Sequence, residues 1–290
     1  MTPQSNQPQP PAPPRVSAVV VSRNRIELLR LCLESLEKSD GRETLQIIVV
    51  DNGSTALQNP ELSAQLETDF PNVRFFRLPK NFGLTKAMNI GWRAAQADYV
   101  LFLHDDTEVE PAAIERLAAV LDERSDAAAV CPLLTDGEGR PAPQLGELPP
   151  DGNYRPAEVA GSEPVEVMYP RGAALMLRGF VIKSIRQIDE RYGQFGSDAD
   201  LAAHIRTGAR KILLVPDARV KHAGGASLET WDSLRRADFL LARARFVSKY
   251  QGYAAGLMTQ LAAIFGSLLS FRWGELRYLL SGQKIDGSQL

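Results

Sequence analysis

Tyr99–Pro111 reads YVLFLHDDTEVEP. An unbroken apolar run, Val100 to Leu103, leads directly into His104-Asp105-Asp106. Apolar residues with no polar alternation are the pattern of a strand covered on both faces, as in the parallel sheets of α/β proteins. Two neighbouring carboxylates at the end of such a strand repel, and burying them costs about several kcal/mol unless a cation or donor compensates. A divalent metal, Mn2+ or Mg2+, is the partner this chemistry asks for.

The surrounding chain repeats the pattern. Val16–Val21, Leu45–Asp51 and Val73–Leu78 are short apolar runs, and Ala127–Pro132 is another. Between them lie segments of helical period at Ile26–Ser39, Leu84–Gln96 and Pro111–Arg124. Strands alternating with helices predict an α/β fold with a mostly parallel sheet flanked by helices. Ligands of such sheets bind at the carboxyl ends of the strands. Asp51 and His104-Asp105-Asp106 both fall at such ends and are expected to face one crevice.

Composition narrows the function. The chain has 290 residues, 44% of them hydrophobic, and a formal charge of −2, which suits a folded core and argues against a broad nucleic-acid surface. Its two cysteines, Cys32 and Cys131, make neither a zinc site nor a disulfide framework. Residues 1–14 are Pro-rich without a basic or apolar leader pattern, so they are expected to be a disordered tail, and the protein cytoplasmic.

Further on, Leu134–Pro164 is rich in Pro, Gly, Asp and Glu without periodicity and reads as a long functional or mobile loop. Val165–Arg178 reads as strand, break, strand; Phe180–Ile185 and Asp198–Ala209 as helices; Lys211–Pro216 as a strand. From about Trp231 the pattern is helical, giving an expected division into a tail (1–14), a catalytic domain (15–230) and a helical extension (231–290). No charge occurs from Gln251 to Phe271, while Arg243, Arg245, Lys249, Arg272 and Arg277 flank that stretch. A buried helix and one lying at a membrane interface, on the inner face of the cytoplasmic membrane, both fit.

Six segments carry a resemblance in order: VVVSRNR, VVDNGS, KNFGLTKAMNIG, FLHDDTEVEP, DERYGQFGSDADL and VKHAGGAS. Together they resemble the family-two inverting glycosyltransferases of the GT-A fold, a Rossmann-like nucleotide-diphospho-sugar transferase architecture. The closest likeness is to a bacterial rhamnosyltransferase-like branch. The resemblance spans about Val16 to Ser227.

It implies roles residue by residue. Asp106, the last carboxylate of the DxD-like motif, would bind a divalent metal, and His222 would bind the metal or the diphosphate. His104 stands where the family usually has Asp or Asn, and Asp105 takes the middle position. Ser22, Asn24 and Arg25, with Asp51, would hold the nucleotide. Asn81, Gly83, Lys86 and Asn89 lie just before or within a helix whose N-terminus suits a diphosphate. Gly172 corresponds to a position near donor and acceptor. In SDAD, Ser197 replaces the family's usual acid, which leaves Asp198 as the candidate base. Asp198 and Asp200 also suit the first turn of a helix, where the dipole favours acids.

The implied activity is metal-dependent inverting transfer of a sugar, rhamnose first, from a dTDP- or UDP-sugar to a glycan or lipid-linked acceptor in surface polysaccharide assembly. Two alternatives stay open on the sequence: a nucleotide-sugar-binding scaffold without catalysis, suggested by His104 and Ser197, and a sugar nucleotidyltransferase.

Overall fold

A computed structural model of the protein describes residues 13–224 and 232–285. Most of the Pro-rich tail, Gly225 to Ser227 of the last motif, and Trp231 lie outside the described residues. The first half runs β1 (Val16–Ser22), α1 (Ile26–Glu37), β2 (Leu45–Asp51), α2 (Pro60–Asp69), β3 (Val73–Arg77), α3 (Leu84–Arg93), β4 (Tyr99–His104), β5 (Thr107–Val109), α4 (Ala113–Glu123) and β6 (Ala127–Thr135). The second half runs β7 (Pro143–Gly146), β8 (Arg155–Pro156), β9 (Val165–Glu166), β10 (Tyr169–Pro170), β11 (Ala174–Arg178), α5 (Gly179–Ile185), α6 (Ser197–Thr207) and β12 (Lys211–His222), then α7 (Ser233–Gln251), α8 (Tyr253–Leu269) and α9 (Trp273–Ser281).

The main sheet has the order β3-β2-β1-β4-β11-β6-β12-β5, with β9 also paired to β12. Strands β1 to β4 are mutually parallel, as expected. Beyond them the sheet is mixed: β11 runs antiparallel between β4 and β6, and β5 antiparallel to β12. Hydropathy reports burial of a strand, not its direction, so this mixture has no sequence signal.

Period-two alternation divides the core between the two faces. Val16, Ala18 and Val20 of β1, with Leu101 and Leu103 of β4, join Leu29, Leu33 and Leu36 of α1 and Ile114, Leu117 and Leu121 of α4. Val19, Val100 and Phe102 point the other way, toward Ala87 of α3 and Leu201 and Ile205 of α6. Leu29, Leu33 and Leu36 fall on one face of α1 and are fully buried, each worth about 1.5–3 kcal/mol of transfer free energy.

Register puts functional positions in a row. Ser22 pairs with Asp51, and Val21 with His104, at one edge of the parallel half. The chain then reverses through Asp105-Asp106 into β5, whose Thr107 pairs with His222. The apolar run Lys211–Pro216 marks only the first half of β12. The strand shifts register between Val215 and Arg219 and continues to His222.

One other expectation is corrected. Leu134–Pro164 is not a structureless loop: β7 and β8 in it form a small sheet with β10. Of the two readings open for the uncharged Gln251–Phe271 stretch, burial does not hold, since only Gly256 and Ser267 of α8 are buried. Met258 and Phe265 are 71% and 61% exposed. No helix among the described residues is long and apolar enough to cross a membrane. Helix α7 is an integral layer: Phe246 enters the core beside α6, and Lys249 pairs with Asp200 at 2.7 Å.

Candidate active site

A cleft of about 400 Å³ opens at the carboxyl ends of β1 and β4. Its walls include Ser22 at the end of β1 and Arg25 after it, His104 and Asp105 at β4, Arg171 and Gly172 before β11, Asp198 of α6, and Arg235, Phe239 and Arg243 of α7. Asp106 and His222 lie against His104 at one end. The possible ligand atoms of His104, Asp106 and His222 all lie within 4.8 Å of one another. His222 Nε2 is 3.2 Å from Asp106 Oδ1, and His104 Nδ1 is 3.8 Å from the same oxygen. The two imidazoles meet edge to face with centroids 5.7 Å apart.

Electrostatics keep this trio ready for a cation. Burial works against ionised Asp106, but the neighbouring His222 and His104 imidazoles and the Arg25 guanidinium outweigh it, so its carboxyl sits well below the usual range. Burial, opposed by Asp106 and reinforced by His222, Arg171 and Arg25, pushes His104 down to about 4. At neutral pH that imidazole is uncharged, with a lone pair for coordination. Arg25 Nη1 stands 3.4 Å from Asp105 and 3.5 Å from Asp106. Burial raises Asp105, while Ser22 and Arg25 pull the other way.

The residues fit a divalent metal. Both carboxylate oxygens of Asp106 and Nε2 of His222 are buried without a hydrogen-bond partner among the described residues. Buried polar atoms are almost always satisfied, so three orphans aimed at one another mark a cation position. A carboxylate with two imidazoles is a mixed N/O donor set, which suits a transition ion such as Mn2+ better than Mg2+.

Asp198 occupies the opposite wall. It sits in the first turn of α6, behind an N-cap of Gly196. Its Oδ2 accepts the N–H of Gly172 at 3.1 Å and its Oδ1 the N–H of Ala199 at 2.9 Å. The approach to Gly172 is close: a Cβ there would lie 3.0 Å from Asp198 Cβ, so any side chain would have to displace Asp198 by a few tenths of an ångström. Burial raises the Asp198 carboxyl, opposed by Ala199, a hydrogen bond from the Tyr169 hydroxyl, and Gly172. Tyr169 is in turn 2.7 Å, oxygen to oxygen, from Tyr154. Neither tyrosine was singled out from the sequence, because both lie in or beside the segment read as a loop. Asp200 points away from the cleft to Lys249, Tyr192 and Tyr250 and ties α6 to α7.

The remaining candidates separate. Asn24 is an exposed stitch: its N–H donates to Ser54 and its Oδ1 accepts from Thr55. Asp51 is buried and accepts the N–H of Ser54 at 3.1 Å, closing the turn through Asn52-Gly53. Asn81 lines the cleft; its Oδ1 accepts the Gly83 N–H and the Asn52 amide. The Gly83 N–H is therefore spent inside the protein and is no open phosphate cradle. Lys86 is exposed and stands over the Phe82 ring, outside the cleft walls. Asn89 does not reach the cleft: it is fully buried, donating to Ile188 and Glu190 and accepting from Ile188, each at 2.9 Å. That amide is a structural clasp.

Solved structures of the same architecture are GT-A glycosyltransferases. GalNAc-T7, crystallised with UDP, GalNAc and Mn2+, superposes with a TM-score of 0.69 at 18% identity, over 92% of this chain and 56% of that one. TarS of S. aureus (residues 1–349, with UDP) gives 0.57 at 18%, over 87% of this chain and 70% of that one. At such identities the likeness concerns the fold. The model of glycosyl transferase family 2 matches residues 17–183, more than half of the chain, and the protein belongs to that family. An O-antigen biosynthesis protein, RfbC of Myxococcus xanthus, is 26% identical over 251 residues, 80% of this chain but 19% of its own length. The N-acetylglucosaminyl-diphospho-decaprenol L-rhamnosyltransferase of Mycobacterium tuberculosis is 25% identical over 208 residues, 61% of this chain and 66% of its own. The chain thus spans less than two thirds of the length of these relatives.

Proposed function

We propose that the protein is a metal-dependent inverting glycosyltransferase using a dTDP- or UDP-sugar. The observation that carries this is one cleft with a three-donor cation position at one end and a hydrogen-bonded, otherwise uncommitted carboxylate, Asp198, on the facing wall. The Mycobacterium tuberculosis relative supports rhamnose as the sugar and a lipid-linked acceptor, and the Myxococcus xanthus relative supports a bacterial surface glycan. The division into a catalytic domain and a helical extension holds in this proposal only as a division of labour, because α7 forms a wall of the cleft.

Asp106, His222 and His104 would hold the metal. When bound, it neutralises the negative charge that develops on the diphosphate leaving group. Arg25 holds Asp105 and Asp106 in place and adds positive charge on the same side. Ser22 and Asp51, in register at the ends of β1 and β2, shape the nucleotide end. Asp198 accepts the proton of the acceptor hydroxyl as that oxygen bonds to the anomeric carbon and the bond to the phosphate oxygen breaks. A carboxyl raised by burial is a better base than an exposed one, and the Tyr169 and Gly172 donors fix its aim.

A thermal-shift screen of nucleotide sugars with and without Mn2+ tests the reading. A ligand at 100-fold its Kd stabilises by about 2.7 kcal/mol. The expected result is a shift with one donor class that needs Mn2+. Asp198→Asn should keep that shift and lose sugar transfer. No Mn2+-dependent shift with any donor overturns the proposal; a shift with no transfer by the wild type leaves only a binding protein.

A further inference from the structure

The chemistry of the cleft leaves the outer surface of α8 unexplained. On its inner side α8 packs on its neighbours: Gly256 meets Ser248 of α7, Ala263 and Ile264 pack against Ala237, Leu241 and Leu279, and Ser267 donates to Glu275 at 2.6 Å. The other side faces outward. At about 100° per residue, Leu257, Met258, Leu261, Phe265, Leu268 and Leu269 fall within an arc of about 120°. These six side chains are between 41% and 78% exposed. The helix has 17 residues, so the strip is about 25 Å long. A contiguous apolar face of that length marks a surface for a partner.

The rim of the strip identifies that partner. Tyr253 opens α8, and Trp273 opens α9 just past its far end, 78% and 60% exposed. Such rings, apolar in body and polar at one edge, settle where an apolar layer meets water. From Gln251 to Leu280 the chain carries three charges, Arg272, Glu275 and Arg277. Glu275 is buried and held by Arg236 at 2.7 Å and by Ser267. Asp232, at the adjoining start of α7, is turned to the N–H of Arg235 as the cap of that helix. The charge that α8 and α9 present outward is therefore that of exposed Arg272 and Arg277. An anionic layer answers both arginines, whereas the same face of a second copy would bring no acid from these helices to meet them.

We propose that α8 and the start of α9 dock on the surface of an anionic bilayer, with the strip from Leu257 to Leu269 sunk to the boundary of the acyl chains and Arg272 and Arg277 set on lipid phosphates. The helix lies in the interface and does not span it, as an apolar strip on a short helix with basic flanks does. Docking there fixes the attitude of the cleft. Gly274 packs on Ser233, and Arg235, two residues further along α7, is part of the cleft wall, so the α7 side of the cleft opens beside the lipid surface.

The test is flotation of the full chain with vesicles of phosphatidylglycerol and phosphatidylcholine, against vesicles of phosphatidylcholine alone. The chain should partition onto the mixed vesicles, its tryptophan emission should shift to the blue, and Trp273→Phe should lose that shift. Phe265→Glu should weaken partition by about tenfold or more, through the loss of one inserted aromatic side chain. Arg272→Gln and Arg277→Gln should each weaken it by about fivefold, the worth of one basic residue at an anionic surface, and added salt should weaken the wild type. All of these residues are exposed, so each variant should unfold at the wild-type temperature, and the result stands whether or not a sugar donor binds. Equal partition onto neutral and anionic vesicles, or partition that Phe265→Glu leaves unchanged, overturns the proposal. So does the absence of partition; a dimer in sedimentation equilibrium that Phe265→Glu splits would then assign the face to a second copy.

Discussion

Tyr169→Phe isolates what tunes the Asp198 carboxyl. The Tyr169 hydroxyl donates to Asp198, a hydrogen bond that favours the ionised form. Hydrogen bonds to charged groups are worth about 1.5–3 kcal/mol, and one pKa unit is about 1.4 kcal/mol. Loss of that donor should therefore raise the Asp198 pKa. The N–H donors of Gly172 and Ala199 remain and limit the rise. The sign follows: the donor lost had stabilised the carboxylate, the proton is held to higher pH, and the acid limb of kcat/KM moves up. Below that limb the variant should be about tenfold slower than wild type, and on the plateau close to it. The assay is nucleotide release across a pH series at saturating Mn2+, with Asp198→Asn as the control in which the limb disappears. Tyr154→Phe should move the limb less, since that hydroxyl acts through Tyr169. A uniform fall in rate at every pH, with the limb unmoved, refutes the argument and makes Tyr169 a shaping residue only.

Asp106→Asn removes the anionic donor of the cation trio, and the Mn2+-dependent part of UDP binding should vanish in a calorimetric titration; chelation of the wild type with EDTA should have the same effect. Asn89→Ala should cost about 2–4 kcal/mol of stability by orphaning its buried partners, seen as a lower midpoint in urea, with UDP affinity unchanged. Asp238→Ala removes the buried carboxylate that accepts the N–H groups of Gln194 and Ile285 at 2.8 and 3.1 Å; kcat should fall at least about tenfold through the loosened segment before α6, with the donor KM nearly constant. Gly172→Ala should lower kcat by a similar factor, because the added methyl pushes directly on Asp198.

The parallel half of the sheet was legible because each strand is buried on both faces and bounded by turn residues. His104, Asp105 and Asp106 stood out by charge at the end of an apolar run, and register alone then puts Ser22, Asp51 and His104 along one edge. His222 could be named from its motif, but its contact with Asp106 depends on a strand that continues past Pro216 through a register shift. Asn89 and Gly83 misled because sequence shows which polar groups exist, not which are already paired. Tyr154 and Tyr169 were illegible: the first lies in an aperiodic stretch and the second at the break between two short strands, and their importance comes from a hydroxyl pair assembled only in three dimensions. The arginines of α7 read as flanking charge for an apolar helix until the fold turned two of them into the cleft.

The fastening of α7 to the segment before α6 constrains how such enzymes can be recombined. Asp238 grips residues 193–195, and Lys249 grips Asp200, so the final helices are bolted to the very stretch that carries Asp198. A chimera that exchanges everything after residue 231 to change acceptor preference breaks both bolts. One that cuts upstream of Gly193 and transplants α6, β12 and α7 to α9 as a single cartridge keeps them, and leaves the nucleotide-facing half of the parent untouched.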